Sequence, residues 1–174
     1  SSAGRVAVID HHRRAADYIE GALLNFHEPY ASSASELVTE LVQYLTDRED
    51  VLPVETLSLL AGIVLDTKNF SVRTGARTFE AAAFLRRCGA DVTRVRKMFR
   101  EHVEDYRAKG EAIRNAELFR DHFAISVCPS EGLDSPTVVG AQAANELLNI
   151  IGVKASFVLT DYRNTIYISA RSID

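Results

Sequence analysis

The chain has 174 residues, 47% hydrophobic and 25% charged, with a formal net charge of −4, the make-up of an ordinary soluble globular protein. That balance excludes a strongly basic nucleic-acid coat and a polybasic membrane-surface binder, and no apolar run approaches the roughly 18 residues that span a bilayer. Cys88 and Cys128 lie far apart without metal-ligand spacing, which points to a reducing, cytoplasmic setting. No signal peptide is visible, the first residue is not Met, and a strand follows almost at once. The chain therefore reads as a piece of a longer protein.

Val6 to Ile9 is a short apolar run that stops at Asp10-His11-His12. Such a run suits a strand buried on both faces of a parallel sheet. Its carboxyl end is where open α/β sheets hold their ligands. A carboxylate beside two imidazoles suits a divalent metal such as Mn, Fe or Zn. The plainer reading is a strand that ends in a polar turn. Ala15 to Ile19 predicts a helical turn, and Ala22 to Phe26 a second strand. Glu28-Pro29-Tyr30 is a loop, because Pro disfavours helix at the residue before it. Ser32 and Ser33 are good N-caps, and Glu36 stands three residues after Ser33 as a capping box requires. Leu37, Leu41, Tyr44 and Leu45 then repeat at helical spacing, so Ala34 to Leu45 is helix.

Pro53 suits a first helical turn, and Leu57, Leu60, Ala61, Val64 and Leu65 build an apolar helix up to Asp66. A carboxylate on a buried helix is costly unless it reaches water or a cation. Thr78 is read as the cap of the next helix, which Gly89 closes. Asp91 then starts a long polar helix to about Asp121, with Val92, Val95, Phe99, Val103 and Tyr106 as its stripe and Gly110 as its weak point. Arg86, Arg87, Arg94, Arg96, Lys97 and Arg100 form a basic cluster. It is either a solvated helix face or a wall that attracts phosphate. Phe123 to Val127 is a strand, Ser135-Pro136 opens a helix to Ile150, and Gly152 stops it. Lys154 to Leu159 and Thr165 to Ala170 are strands joined by a hairpin-like turn. The fold class is α/β. A parallel sheet with flanking helices occupies residues 1–105, a connector helix 106–121, and a second, smaller α/β lobe 122–174.

Three runs carry a resemblance: Asp10-His11-His12-Arg13-Arg14, Glu28-Pro29-Tyr30-Ala31-Ser32-Ser33, and Asp66-Thr67-Lys68-Asn69-Phe70-Ser71-Val72-Arg73-Thr74. Together they resemble the DHH phosphoesterase superfamily, and within it the GdpP-type cyclic di-AMP phosphodiesterases. The ending Ile168-Ser169-Ala170-Arg171-Ser172 is similar to the DHH-associated substrate lobe. The resemblance implies a Mn²⁺-dependent phosphodiesterase that opens cyclic di-AMP to a linear dinucleotide through a two-metal site. It makes His11 and Asp66 metal ligands. It makes His12 a polarising group beside the scissile phosphate, and Asp10 a residue that orients a histidine or approaches the metal. Arg171 and Ser172 would hold substrate phosphate, while Ser32, Ser33, Arg13 and Arg14 either line the pocket or serve structure and solvent.

The family draws further ligands from segments ahead of residue 1 and a Gly-rich loop beyond residue 174. The upstream parts of its own protein are thus implied as partners, with a homodimer allowed and no polymeric nucleic acid. The family's full-length members are anchored in the cell membrane with this region on the cytoplasmic side. The alternatives are an oligoribonuclease or phosphatase on short nucleotides, and a non-catalytic fragment of a larger signalling protein.

Overall fold

The computed structural model describes residues 5–14, 16 and 18–173, which divide into two units, Ser1–Arg100 and Glu101–Asp174. In the first, strands β1 (Ala7–Asp10) and β2 (Leu24–His27) pair in parallel, with Ala7 opposite Leu24 and Asp10 opposite His27. Both strand ends arrive at the same edge, so the polar turn after β1 and the imidazole of His27 become neighbours. The strand expected to be buried on both faces is only half-buried. The reason is that this sheet has two strands among the described residues, so each of them is an edge. Of the helical turn expected over Ala15 to Ile19, residues 15 and 17 lie outside the described residues, and Ala16, Tyr18 and Ile19 are in no helix.

Helices α1 (Ala34–Leu45), α2 (Pro53–Asp66), α3 (Ala76–Arg87) and α4 (Val92–Met98) complete this unit. Ser33 caps α1, its hydroxyl accepting from Glu36 N at 3.0 Å. Thr78 does not cap α3. Gly75 stands at the cap, and the Thr78 hydroxyl accepts from its N–H at 3.1 Å. Leu60, Ala61, Ile63, Ala81, Phe84, Leu85, Ala90 and Val95 form the core between α2, α3 and α4. Helix α1 approaches α2 so closely at Gly62 that a Cβ there would collide with the Ser35 hydroxyl. Arg77 ties α3 to α1 through two 2.7 Å bonds to the Glu40 carboxylate, which push the guanidinium pKa still further up.

The single helix expected from Asp91 to about Asp121 is two helices and a strand. Helix α4 ends at Met98, α5 spans Val103–Arg114, and strand β3 (Glu117–Phe119) follows. Gly110 lies inside α5 without interrupting it. The expected stripe fails because the two halves have different cores. Val95 is fully buried in the first unit, while Ala108 and Ala112 are buried in the second. Val92, Phe99, Val103 and Tyr106 remain exposed.

The second unit is a four-stranded sheet in the order β3, β4 (Phe123–Cys128), β5 (Ala155–Tyr162), β6 (Thr165–Ser172). Strands β4 and β5 are parallel and joined through α6 (Pro136–Leu147), whereas the other pairs are antiparallel. Ala124, Ser126 and Cys128 alternate toward one face, as do Ser156, Val158 and Thr160, and these are the buried positions. The two serines are tolerated there because they are bonded. Ser126 Oγ donates to Ala112 O at 2.5 Å and Ser156 Oγ to Ala144 O at 2.6 Å. Arg163 and Asn164 both have positive φ, 53° and 59°, the two-residue turn whose twist matches a hairpin. Among the described residues, no helix is long and apolar enough to cross a membrane.

Candidate active site

The β1 strand delivers Asp10, His11 and His12 in a turn that the sequence itself closes. Asp10 Oδ1 accepts from the backbone N–H of His12 at 3.0 Å and from His12 Nδ1 at 2.7 Å. The backbone bond first, then the imidazole bond, holds the Asp10 carboxyl below the usual carboxylate range, with the charge of His27 adding to both. With Nδ1 committed to Asp10, the free nitrogen of His12 is Nε2, and the His12 side chain is 77% exposed. His27, across the strand pair, donates from Nε2 to the carbonyl of His12 at 2.5 Å. It clamps the turn from the far side. A cleft of about 260 Å³ opens here, lined by Asp10, His12, Arg13, Arg14 and His27. Arg13 and Arg14 are exposed, and the Arg14 guanidinium lies 4.5 Å from the Tyr18 ring centre.

The His11 ring lies beside that of His12, with 4.5 Å between ring centres. His11 Nε2 lies 3.5 Å from Asp66 Oδ2, and its side chain is largely buried while Asp66 is 40% exposed. The helix therefore does not bury Asp66; it places the carboxylate at its own last residue. That end of a helix carries partial negative charge and disfavours a carboxylate, so Asp66 gains from a cation in front of it. His11 Nδ1 is buried with no hydrogen-bond partner among the described residues. A metal-ligating imidazole as a rule hydrogen-bonds through its other ring nitrogen, and the described residues give His11 no hydrogen bond on either one. One imidazole and one carboxylate fit a divalent ion such as manganese in chemistry. They fill two of about six positions, and no group of three or more ligand-type side chains occurs among the described residues.

Ser32 and Ser33 do not face the cleft. Both are buried; Ser32 Oγ donates to Glu36 Oε2 at 2.5 Å while Ser33 caps α1. Their structural work accounts for them. Arg171 and Ser172 stand in the second unit, at the end of β6. Consecutive strand residues face opposite sides of a sheet, so Arg171, opposite Ser156, and Ser172, opposite Ala155, project from different faces. Arg171 Nη1 donates to Ala170 O at 2.8 Å. The structure thus groups Asp10, His11, His12 and Asp66 in the first unit and sets the Arg-Ser pair in the other. His27 escaped the sequence reading. The signal for it was that a second apolar strand, Ala22 to Phe26, also ends on an imidazole.

After Asp66 the chain turns through Lys68, Asn69 and Phe70, all at positive φ. Left-handed backbone costs a non-glycine residue roughly 1–2 kcal/mol. Thr67 pins this turn from inside, its hydroxyl donating to Ile63 O at 2.7 Å and accepting from Phe70 N at 3.0 Å. Phe70 stacks on Phe79 at 5.6 Å between ring centres.

Residues 1–64 match the family described as DHH family, N-terminal domain. The chain is 43% identical over 173 residues to the cyclic-di-AMP phosphodiesterase PdeA of Listeria monocytogenes, covering 99% of this chain and 26% of that protein. It is 45% identical over 170 residues to the cyclic-di-AMP phosphodiesterase GdpP of Bacillus subtilis, covering 97% of this chain and again 26% of the relative. The chain thus spans about a quarter of the length of these curated relatives. Among solved structures, an exopolyphosphatase-related protein from Bacteroides fragilis superposes with a TM-score of 0.86 at 23% identity. That match covers 100% of this chain and 52% of the other, and it shows a shared α/β fold.

Proposed function

We infer, for a chain whose residues 1–64 belong to the DHH family, that it forms part of a phosphodiesterase acting on cyclic di-AMP. The observation that carries this is the Asp10-His11-His12 turn at a parallel strand end, with His11 Nε2 set 3.5 Å from Asp66 Oδ2. The likeness to PdeA and GdpP over nearly the whole chain supports the cyclic dinucleotide as substrate.

In this reading one phosphodiester of cyclic di-AMP is hydrolysed, water entering at phosphorus as one P–O bond breaks, to give a linear dinucleotide. Asp10 holds the His12 ring by Nδ1 and by the backbone N–H, so that Nε2 is fixed toward the cleft. A proton on that nitrogen donates to a phosphoryl oxygen as charge builds there. His27 keeps the carbonyl of His12 from swinging. His11 and Asp66 are the residues that would hold Mn²⁺, completed by donors from the rest of the longer protein. The ion, when bound, supplies a Lewis acid and an acidified water. In the second unit Arg171, always charged, is the side chain that would take a substrate phosphate, with Ser172 next to it in the strand. The protein acts at the cytoplasmic face, anchored in the membrane by segments outside this chain, as a monomer or a homodimer, and takes no polymeric nucleic acid.

The test is His11→Ala in the full-length protein with excess Mn²⁺, the linear product followed by chromatography. Turnover should drop by a factor on the order of 10³ or more while the far-ultraviolet circular dichroism stays as in the wild type. Turnover retained in the folded variant would sink the assignment of His11.

A further inference from the structure

The loop that joins α2 to α3, residues 67–75, holds four non-glycine residues in the left-handed region: Lys68 (φ 46°), Asn69 (58°), Phe70 (63°) and Arg73 (49°). Glycine would occupy such positions without strain, and Asn tolerates them best among the rest. Ending a helix takes one left-handed residue, whereas three in succession follow Thr67. Strain of this kind persists only where its surroundings enforce it, and it gathers at ligand clamps.

The enforcement is visible. Thr67 is fully buried, and besides the two bonds of its hydroxyl, its carbonyl accepts from Ser71 N at 2.8 Å and Val72 N at 3.0 Å. Stacking on Phe79 accounts for Phe70. The N–H of Lys68 donates to Leu65 O at 3.2 Å and that of Asn69 to Val64 O at 2.8 Å, a helix cap that sets the Lys68 backbone without calling for a charge there, and no side-chain contact accounts for Arg73. Lys68 and Arg73 are exposed, and neither charged group has a hydrogen-bond or ion-pair partner among the described residues. Two free cations are thus held in a stiff turn that starts immediately after Asp66. Two residues of chain span at most about 7 Å, and the four-carbon stem of Lys68 extends its reach beyond that. Its ammonium can therefore meet a ligand held in front of His11 and Asp66.

We propose that residues 67–75 form a phosphate clamp for this site, with Lys68 as a mobile point charge and Arg73 as a planar fork on the substrate's phosphate oxygens. The proposal rests on reading the Asp10–His12 turn and Asp66 as a phosphoryl-handling site. It explains why the chain places charged residues where glycine would be unstrained.

Lys68→Gly separates function from fold, since it removes the charge and relieves the backbone at once. In the full-length protein its melting temperature should equal or exceed that of the wild type. KM for cyclic di-AMP should rise about tenfold, with kcat within about threefold, and Lys68→Arg should restore KM. Arg73→Gly should behave as Lys68→Gly does. A KM unmoved by Lys68→Gly, or a rise that tracks a fall in melting temperature, overturns the clamp. Titration calorimetry with adenosine monophosphate reads the same clamp without turnover. If the wild type fails to hydrolyse cyclic di-AMP but Lys68→Gly still weakens this binding about tenfold, the substrate assignment falls and the clamp stands. If hydrolysis proceeds and neither KM nor this affinity responds, the clamp falls and the substrate stands.

Discussion

The two sheets of this chain place their polar side chains differently. In β3–β6, one face is covered, and the serines on it donate to helix carbonyls at 2.5 and 2.6 Å. In β1–β2, both strands are edges, and the polar groups gather in the turn beyond the strand end. There Asp10, His12 and His27 bond one another, and His11 keeps a buried nitrogen without a partner. The first arrangement closes both serine bonds and leaves Thr160 Oγ1, on the same covered face, buried without a partner among the described residues. The second keeps donors in hand and can act on a ligand. The contrast follows from coverage: a helix over a sheet removes water and favours internal pairing, whereas an open strand end can be satisfied by something that comes and goes.

Core truncation gives the largest expected effect and the sharpest break. Leu147 is fully buried under the four-stranded sheet, so Leu147→Ala should lower stability by about 2–5 kcal/mol in urea unfolding. Val8, half-buried in β1, should cost clearly less when truncated to Ala, and an equal loss would mean that the first sheet is as well covered as the second. Next comes the cap of α1, the helix that packs beside β1. Ser33→Ala should cost about 1 kcal/mol, while Ser33→Asp should restore it, because a carboxylate accepts the same bond.

The smallest effect is a matter of pH. Asp91 caps α4, and the N–H of Thr93 at 2.8 Å holds its carboxyl below the usual carboxylate range. A lowered folded pKa contributes stability that is complete above the unfolded value and is lost as pH falls through the folded one. Asp91→Asn keeps the cap and removes the titration. Its stability, followed by urea midpoints on acidification, should therefore fall less steeply below pH 3.8 than that of the wild type. Parallel curves would show that the cap bond is not the source.

Legibility in the sequence tracked the range of the interaction. The Ser33 cap, the strand ending at Asp10 and the turn at Arg163-Asn164 are all set by residues within four positions, and each was readable. The break between α4 and α5 was not. Phe99-Arg100-Glu101-His102 contains neither Pro nor Gly, and the helix divides because Val95 and Ala108 belong to different cores. Strand β3 is three residues long, too short for any period to show. At the site, Asp10 and His12 announce themselves in tandem. The partnership of His11 with Asp66, 55 positions later, came from resemblance, since no local pattern encodes it. His27 became visible only once the register put it opposite Asp10.

The turn at Arg163-Asn164 also bears on how the second unit assembles. Closing two residues sacrifices little chain entropy, so the β5–β6 hairpin can form on the microsecond scale. The β4–β5 pairing must first span the whole of α6, the slower, non-local step. The edge strand that carries Arg171 and Ser172 would then be in register before its sheet exists. Both residues would depend for their placement on the most local contact in the unit.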